Sequence, residues 1–166
     1  MRLLKAFAIC LAFTTSVAHA DFNDGVVALL TGKYDEALQT FVPLAETSDH
    51  AFAQYFLGRM YASGQGVEQN NETAAEWYRK AAEKGVGDAQ YRLGQLYEEG
   101  SGVPKDLEYA FGWYSVAAHV GNAKGVESAA RMKDALSAQE LVEAEKLARD
   151  LVQKHGAVPD STSRSQ

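Results

Sequence analysis

Apolar residues recur every three or four positions along most of this chain, and the pattern itself recurs at a fixed interval. In the stretch 53–61 (AQYFLGRMY), Ala53, Leu57, Met60 and Tyr61 fall on one face of a helix. Ala74, Trp77, Tyr78, Ala81 and Ala82 do the same further on, and Gly64 and Gly85 punctuate the two runs. The spacing therefore predicts a pair of helices. The pattern returns 36 residues later in 89–97 (AQYRLGQLY), and the match continues through Trp77-Tyr78 with Trp113-Tyr114 and Gly85 with Gly121. Set against each other, 51–86 and 87–122 are identical at 16 of 36 positions without a gap. One helix pair cannot bury its apolar face alone, whereas stacked pairs can, so the repeat predicts a solenoid.

Small residues at Ala53, Gly58, Ala74 and Ala81 let neighbouring helices approach, with Leu57, Tyr61, Trp77 and Tyr78 filling the space between. Gly58 and Gly94 each cost about 1 kcal/mol inside a helix, which close packing would offset. The connecting segments 64–70 (GQGVEQN) and 100–106 (GSGVPKD) supply glycines for left-handed backbone and a valine to pin the loop. Asn71 and Asp106 are the expected caps of the helices that follow.

The flanks extend the array. Tyr34, Ala37, Phe41, Leu44 and Ala45 have the spacing of a second helix, with 22–30 as its partner, which makes 21–50 a degenerate first repeat. Residues 123–135 read as a helix that lacks the glycine loop. Ser137 and Glu140 form a capping box ahead of an amphipathic run through Leu141, Ala144, Leu147, Ala148 and Leu151. Residues 123–155 are expected to be terminal capping helices, and 156–166 a disordered polar tail. The expected fold is all-α, a right-handed α-α solenoid of about eight helices.

The pattern A-x-x-x-L-G-x-x-Y-x-x-G-x-G-V followed by A-x-x-W-Y-x-x-A-A-x-x-G resembles the SEL-one-like repeat family, α-solenoids related to tetratricopeptide repeats. Two copies carry it, over 51–122. The resemblance implies a curved superhelix that serves as a scaffold for protein–protein contacts, and exported bacterial members work in the cell envelope and in host interaction. Cysteine-rich members linked to cell-wall binding have a disulfide pattern that this chain lacks, so that activity is not carried over.

The N-terminus changes the picture of where the protein acts. Arg2 and Lys5 precede an apolar stretch, 6–13, and Ala18-His19-Ala20 is the small-x-small pattern of a signal peptidase site. Residues 1–20 thus read as a signal peptide cleaved after Ala20, which implies a periplasmic or secreted product. The apolar stretch is shorter than the roughly 20 residues that cross a bilayer, and no later segment is apolar enough, so no membrane insertion is expected after cleavage. Cys10, the only cysteine, lies inside the signal without the context of a lipid-attachment site. Losing Arg2 and Lys5 and no acid moves the net charge from −6 to −8, which opposes nucleic acid as a partner.

Catalytic and metal motifs are lacking. His50, His119 and His155 form no helical ligand pair, so no metal is expected; no cofactor loop or nucleophile elbow occurs, and the chain is read as a non-enzyme. Trp77/Trp113 and Tyr78/Tyr114 stand at identical repeat positions, which favours core packing over a sugar-stacking platform. Binding residues belong instead at positions the repeat does not fix. On the first helix of each pair, the expected lining of the concave surface, these are Tyr55, Phe56, Arg59, Tyr91, Arg92 and Gln95, with aromatic and arginine types suited to interface hot spots. A competing reading packs Phe56 on the preceding unit and makes Tyr55 and Tyr91 structural; spacing favours neither. The functional expectation is an exported adaptor holding a peptide or protein partner in its groove, with a slight preference for basic partners from the acidic surface. The alternative is a protein that binds or acts on peptidoglycan fragments.

Overall fold

The computed structural model describes residues 21–157. The predicted signal segment 1–20 and all but the first two residues of the predicted tail lie outside the described residues. Among the described residues eight α-helices follow one another: α1 (Phe22–Leu30), α2 (Tyr34–Glu46), α3 (Ala51–Ser63), α4 (Asn71–Glu83), α5 (Gly87–Glu99), α6 (Leu107–His119), α7 (Ala123–Ala135) and α8 (Ala138–His155). Among the described residues there are no strands. The chain is an all-α solenoid, built from the pairs α1–α2, α3–α4 and α5–α6.

The helix ends follow the local chemistry. Asp21 and Asp24, and Ser137 and Glu140, form capping boxes at the starts of α1 and α8. Asp106 caps α6 by accepting from the Tyr109 amide at 2.9 Å. The first copy differs from expectation: Asn70, not Asn71, is the cap of α4, accepting from the Thr73 amide at 2.9 Å. The register explains this, since Asn70 is the residue 36 positions before Asp106. Asn71 begins the helix, and its side-chain amide donates across the unit boundary to Ser101 at 2.8 Å.

Two devices join unit to unit. Gly66 and Gly102, both at positive φ, lie flat on the first turn of the preceding unit's second helix. A Cβ on Gly102 would collide with the Asn71 carbonyl and sit 2.6 Å from the Glu72 amide nitrogen; one on Gly66 would sit 2.6 Å from Tyr34 Cβ. The second device is a pair of buried glutamines at equivalent positions. Gln54 donates to the Ala45 carbonyl at 3.2 Å and to Asp49 at 2.8 Å. Gln90 donates to the Ala82 carbonyl at 3.0 Å and to the His155 carbonyl at 3.1 Å. Each satisfies carbonyls that a helix end leaves without an intrahelical partner.

Both α7 and α8 pack on α6. The long α8 runs across α6 as far as the end of α4, where His155 sits beside Trp113, ring centroids 5.4 Å apart. Gly112 permits this approach, because a Cβ there would lie 2.8 Å from Leu151 Cδ1. The buried residues of α6 therefore include Phe111, Gly112, Trp113 and Val116, on a face that α4 leaves to Glu76 and Lys80 in solvent.

Candidate functional site

A groove of about 490 Å³ opens between α3 and α5. Arg59, Ala62 and Ser63 form one wall and Arg92, Gln95, Leu96 and Glu99 the other. Tyr78 of α4 lies at the floor, and Gln65, Gln69 and Ser101 from the two glycine loops, with Asn71 at the start of α4, close one end. The lining is polar, with two arginines against one glutamate. Its charge is opposite in sign to that of the chain, which removes the expected preference for basic partners at this place.

Of the six sequence-derived candidates, the groove brings together Arg59, Arg92 and Gln95. The other three support it from behind. Phe56 faces the preceding unit and stacks on Phe41 with ring centroids 5.2 Å apart and an interplanar angle of 7°. Phe22 closes on the same two rings at 5.8 Å from each. Tyr55 packs on Tyr78 at 6.0 Å, and Tyr91 on Tyr114 at 5.7 Å. All three are half-buried and carry the arginines on their faces. The Arg59 guanidinium lies 5.4 Å from the Phe56 ring centre and 5.9 Å from that of Tyr55, and Arg92 lies 5.8 Å from that of Tyr91. Arg92 also donates to Gln95 at 2.9 Å. Neither Arg59 nor Arg92 has an acidic partner within 4 Å among the described residues.

In the sequence Tyr78 is legible only as core. It is buried and rests on Gly58, yet it lines the groove, and burial pushes its hydroxyl pKa up to about 12, against the pull of Arg92 and Arg59. Burial likewise raises Tyr55 above the ordinary tyrosine range. The tryptophans divide: Trp113 is covered by α8, while Trp77 is half-buried with Lys80 4.1 Å from its ring centre. Trp113 is thus no open stacking platform.

Tandem helix pairs joined by glycine loops, with a polar groove between successive first helices, define an α-solenoid interaction scaffold. The Sel1 repeat family model matches residues 51–86 and 87–122, the same two units that the internal offset delimits. The chain thus carries two Sel1 repeats. Among solved structures it is similar to c5321, a protective antigen present in uropathogenic Escherichia coli strains that displays the SLR fold. The identity is 30% and the TM-score 0.77, over 81% of this chain and 30% of that one. It is also similar to a Sel1 repeat protein from Oxalobacter formigenes, at 27% identity and a TM-score of 0.64, over 87% of this chain and 66% of that one. The chain thus spans less than a third of the first and about two thirds of the second. No curated protein matches it significantly.

Proposed function

We propose that this protein is an exported interaction scaffold that holds a segment of a protein partner in the groove between α3 and α5. One observation carries the reading: two arginines without acidic partners converge on one groove from successive repeats, at positions the repeat does not fix. Arg59 is replaced by Gln95 one unit later, and Phe56 by Arg92. Neither is needed to build a solenoid, and arginine seated on aromatic rings is a residue type that dominates interface energetics. Among the described residues no helix is long and apolar enough to cross a membrane. Placement in the periplasm or outside the cell rests on the signal pattern of residues 1–20.

Capture from envelope extract with the mature chain as bait tests the reading. Partners recovered by wild type and lost with Arg59→Ala/Arg92→Ala would support it, and equal recovery would reject the groove. N-terminal sequencing of the native protein checks export, with Asp21 as the expected first residue. The amides and hydroxyls in the lining also suit a sugar, which keeps cell-wall fragments as the second reading; co-sedimentation with sacculi separates the two.

A further inference from the structure

Repeated units set out related chemistry twice, and in this chain two members of a triad, a glutamate and an arginine, are present in only one of the two copies. In the second unit Tyr114 donates its hydroxyl to Glu98 at 2.7 Å. Arg131 closes on the same carboxylate with two bonds of 2.7 and 2.8 Å. Moved back 36 residues, the three positions are Tyr78, Ala62 and Gln95. The two tyrosines occupy equivalent places, for Tyr78 lies on Gly58 as Tyr114 lies on Gly94. The carboxylate has no counterpart, since Ala62 ends at a methyl group.

The means to hold a carboxylate remain. Tyr78 is only 3% exposed, lines the groove, and has no hydrogen-bond partner for its hydroxyl among the described residues. Its hydroxyl is not among the buried unpaired polar atoms, so it opens to the groove and is free to donate to a group bound there. The positive charge that Arg131 supplies one unit later comes here from Arg59 and Arg92, which line the same groove and lack acidic partners. A phenol is protonated throughout the neutral range, and burial only widens that margin, so it is available as a donor.

We infer that the groove takes a carboxylate of the partner peptide at the place that Glu98 fills in the next repeat, with Tyr78 donating to it and Arg59 and Arg92 neutralising it. The inference rests on the α3–α5 groove being the docking surface. Guanidinium groups match a carboxylate's planar pair of oxygens, and a phenol adds a short charge-assisted bond. Glu99 on the rim weighs more heavily against a doubly charged phosphate than against a singly charged carboxylate.

The test uses the mature chain and fluorescein-labelled peptides read by anisotropy at low salt: amidated oligoglutamate, amidated oligoglutamine, and oligoglutamine with a free C-terminus. Oligoglutamate is expected to bind about tenfold more tightly than its amidated glutamine counterpart, a difference of about 1.4 kcal/mol. A gain for the free C-terminus alone would assign the site to chain ends instead of side chains, both being carboxylates. Ala62→Glu should supply the missing carboxylate from within, raise the melting temperature, and reduce oligoglutamate binding to the glutamine level. Tyr78→Phe should weaken oligoglutamate binding several-fold while leaving oligoglutamine unchanged. Equal binding of all three peptides, undiminished oligoglutamate binding by Ala62→Glu, or competition by inorganic phosphate as strong as by acetate would each overturn the inference. Partner capture that still depends on Arg59 and Arg92, with no carboxylate preference, would overturn this chemistry and leave the groove as the docking surface.

Discussion

Gly58 and Tyr78 touch because Gly58 has no side chain: a Cβ there would lie 2.6 Å from Cδ1 of the Tyr78 ring. Gly94 and Tyr114 repeat the relationship 36 residues later, at 2.8 Å. The glycine thus sets how closely the two helices of a unit approach, and through Tyr78 it sets the floor of the groove.

Gly58→Ala is expected to destabilise the protein by about 1–3 kcal/mol. The gain in helix propensity of about 1 kcal/mol is outweighed by forcing a buried ring out of its place. Chemical denaturation gives the number, and a neutral or stabilising result would mean that α4 slides freely on α3.

The loop glycines should separate sharply in their tolerance. Gly102 and Gly121 both have positive φ, at 70° and 87°, but only Gly102 lies on neighbouring backbone. Gly121→Ala should cost about 1 kcal/mol, the conformational penalty alone. Gly102→Ala should cost at least about 3 kcal/mol or abolish cooperative unfolding, since backbone cannot move aside as a side chain can.

Glu98→Gln should destabilise by about 1–2 kcal/mol, as it weakens bonds to Tyr114 and Arg131 that are partly open to solvent. Arg131 and then Tyr114 hold the Glu98 carboxyl below its ordinary range. Its stabilisation is therefore present above the unfolded pKa and is lost as pH falls through the folded one. The mutant's deficit should shrink below about pH 4, the carboxylate range. A deficit that persists unchanged would contradict the assignment.

His50 gives a second pH dependence of separate origin. Its Nδ1 accepts from the Ala53 amide at 3.2 Å as the cap of α3, while its ring stacks on Phe22 at 4.8 Å. Burial lowers its pKa below the usual histidine value, so between the unfolded and folded values the unfolded chain binds more protons. Stability should therefore decline as pH falls through about 6.5, where free histidine titrates. His50→Asn keeps a capping oxygen and should remove that decline, as melting curves across the range would show.

Much of this architecture is legible in the sequence because the two central units share their register. The identities at Gly58/Gly94 and Tyr78/Tyr114 point to the helix pairs and to the reason for glycine inside a helix. Helical spacing alone does not reveal the path of α8, although its trace is there: Glu76 and Lys80 of α4 become Gly112 and Val116 in α6, polar positions turned small or apolar because α8 covers them. Gln54 and Gln90 are hidden for a different reason. Periodicity weighs apolar residues, and an inward glutamine that binds a helix-end carbonyl leaves no apolar signal. Helical spacing puts Arg59, Arg92 and Gln95 on the face where the groove opens but cannot tell a half-buried aromatic from an open one. Phe56 turns to Phe41 and Phe22 because the degenerate first unit presents its own aromatics there. The contrast of Ala62 with Glu98 is readable in the aligned repeats, but it acquires meaning only once Tyr114 is seen to bond that carboxylate.

The most direct measurement of the central claim is site-specific photocrosslinking in the producing cell, with a benzophenone amino acid at Gln95 in the groove or at Glu143 on the exposed side of α8. The account predicts a discrete adduct from Gln95, abolished by Arg59→Ala/Arg92→Ala, and none from Glu143. Adducts from Glu143 with none from Gln95 would contradict it and move the docking surface to the other side of the solenoid.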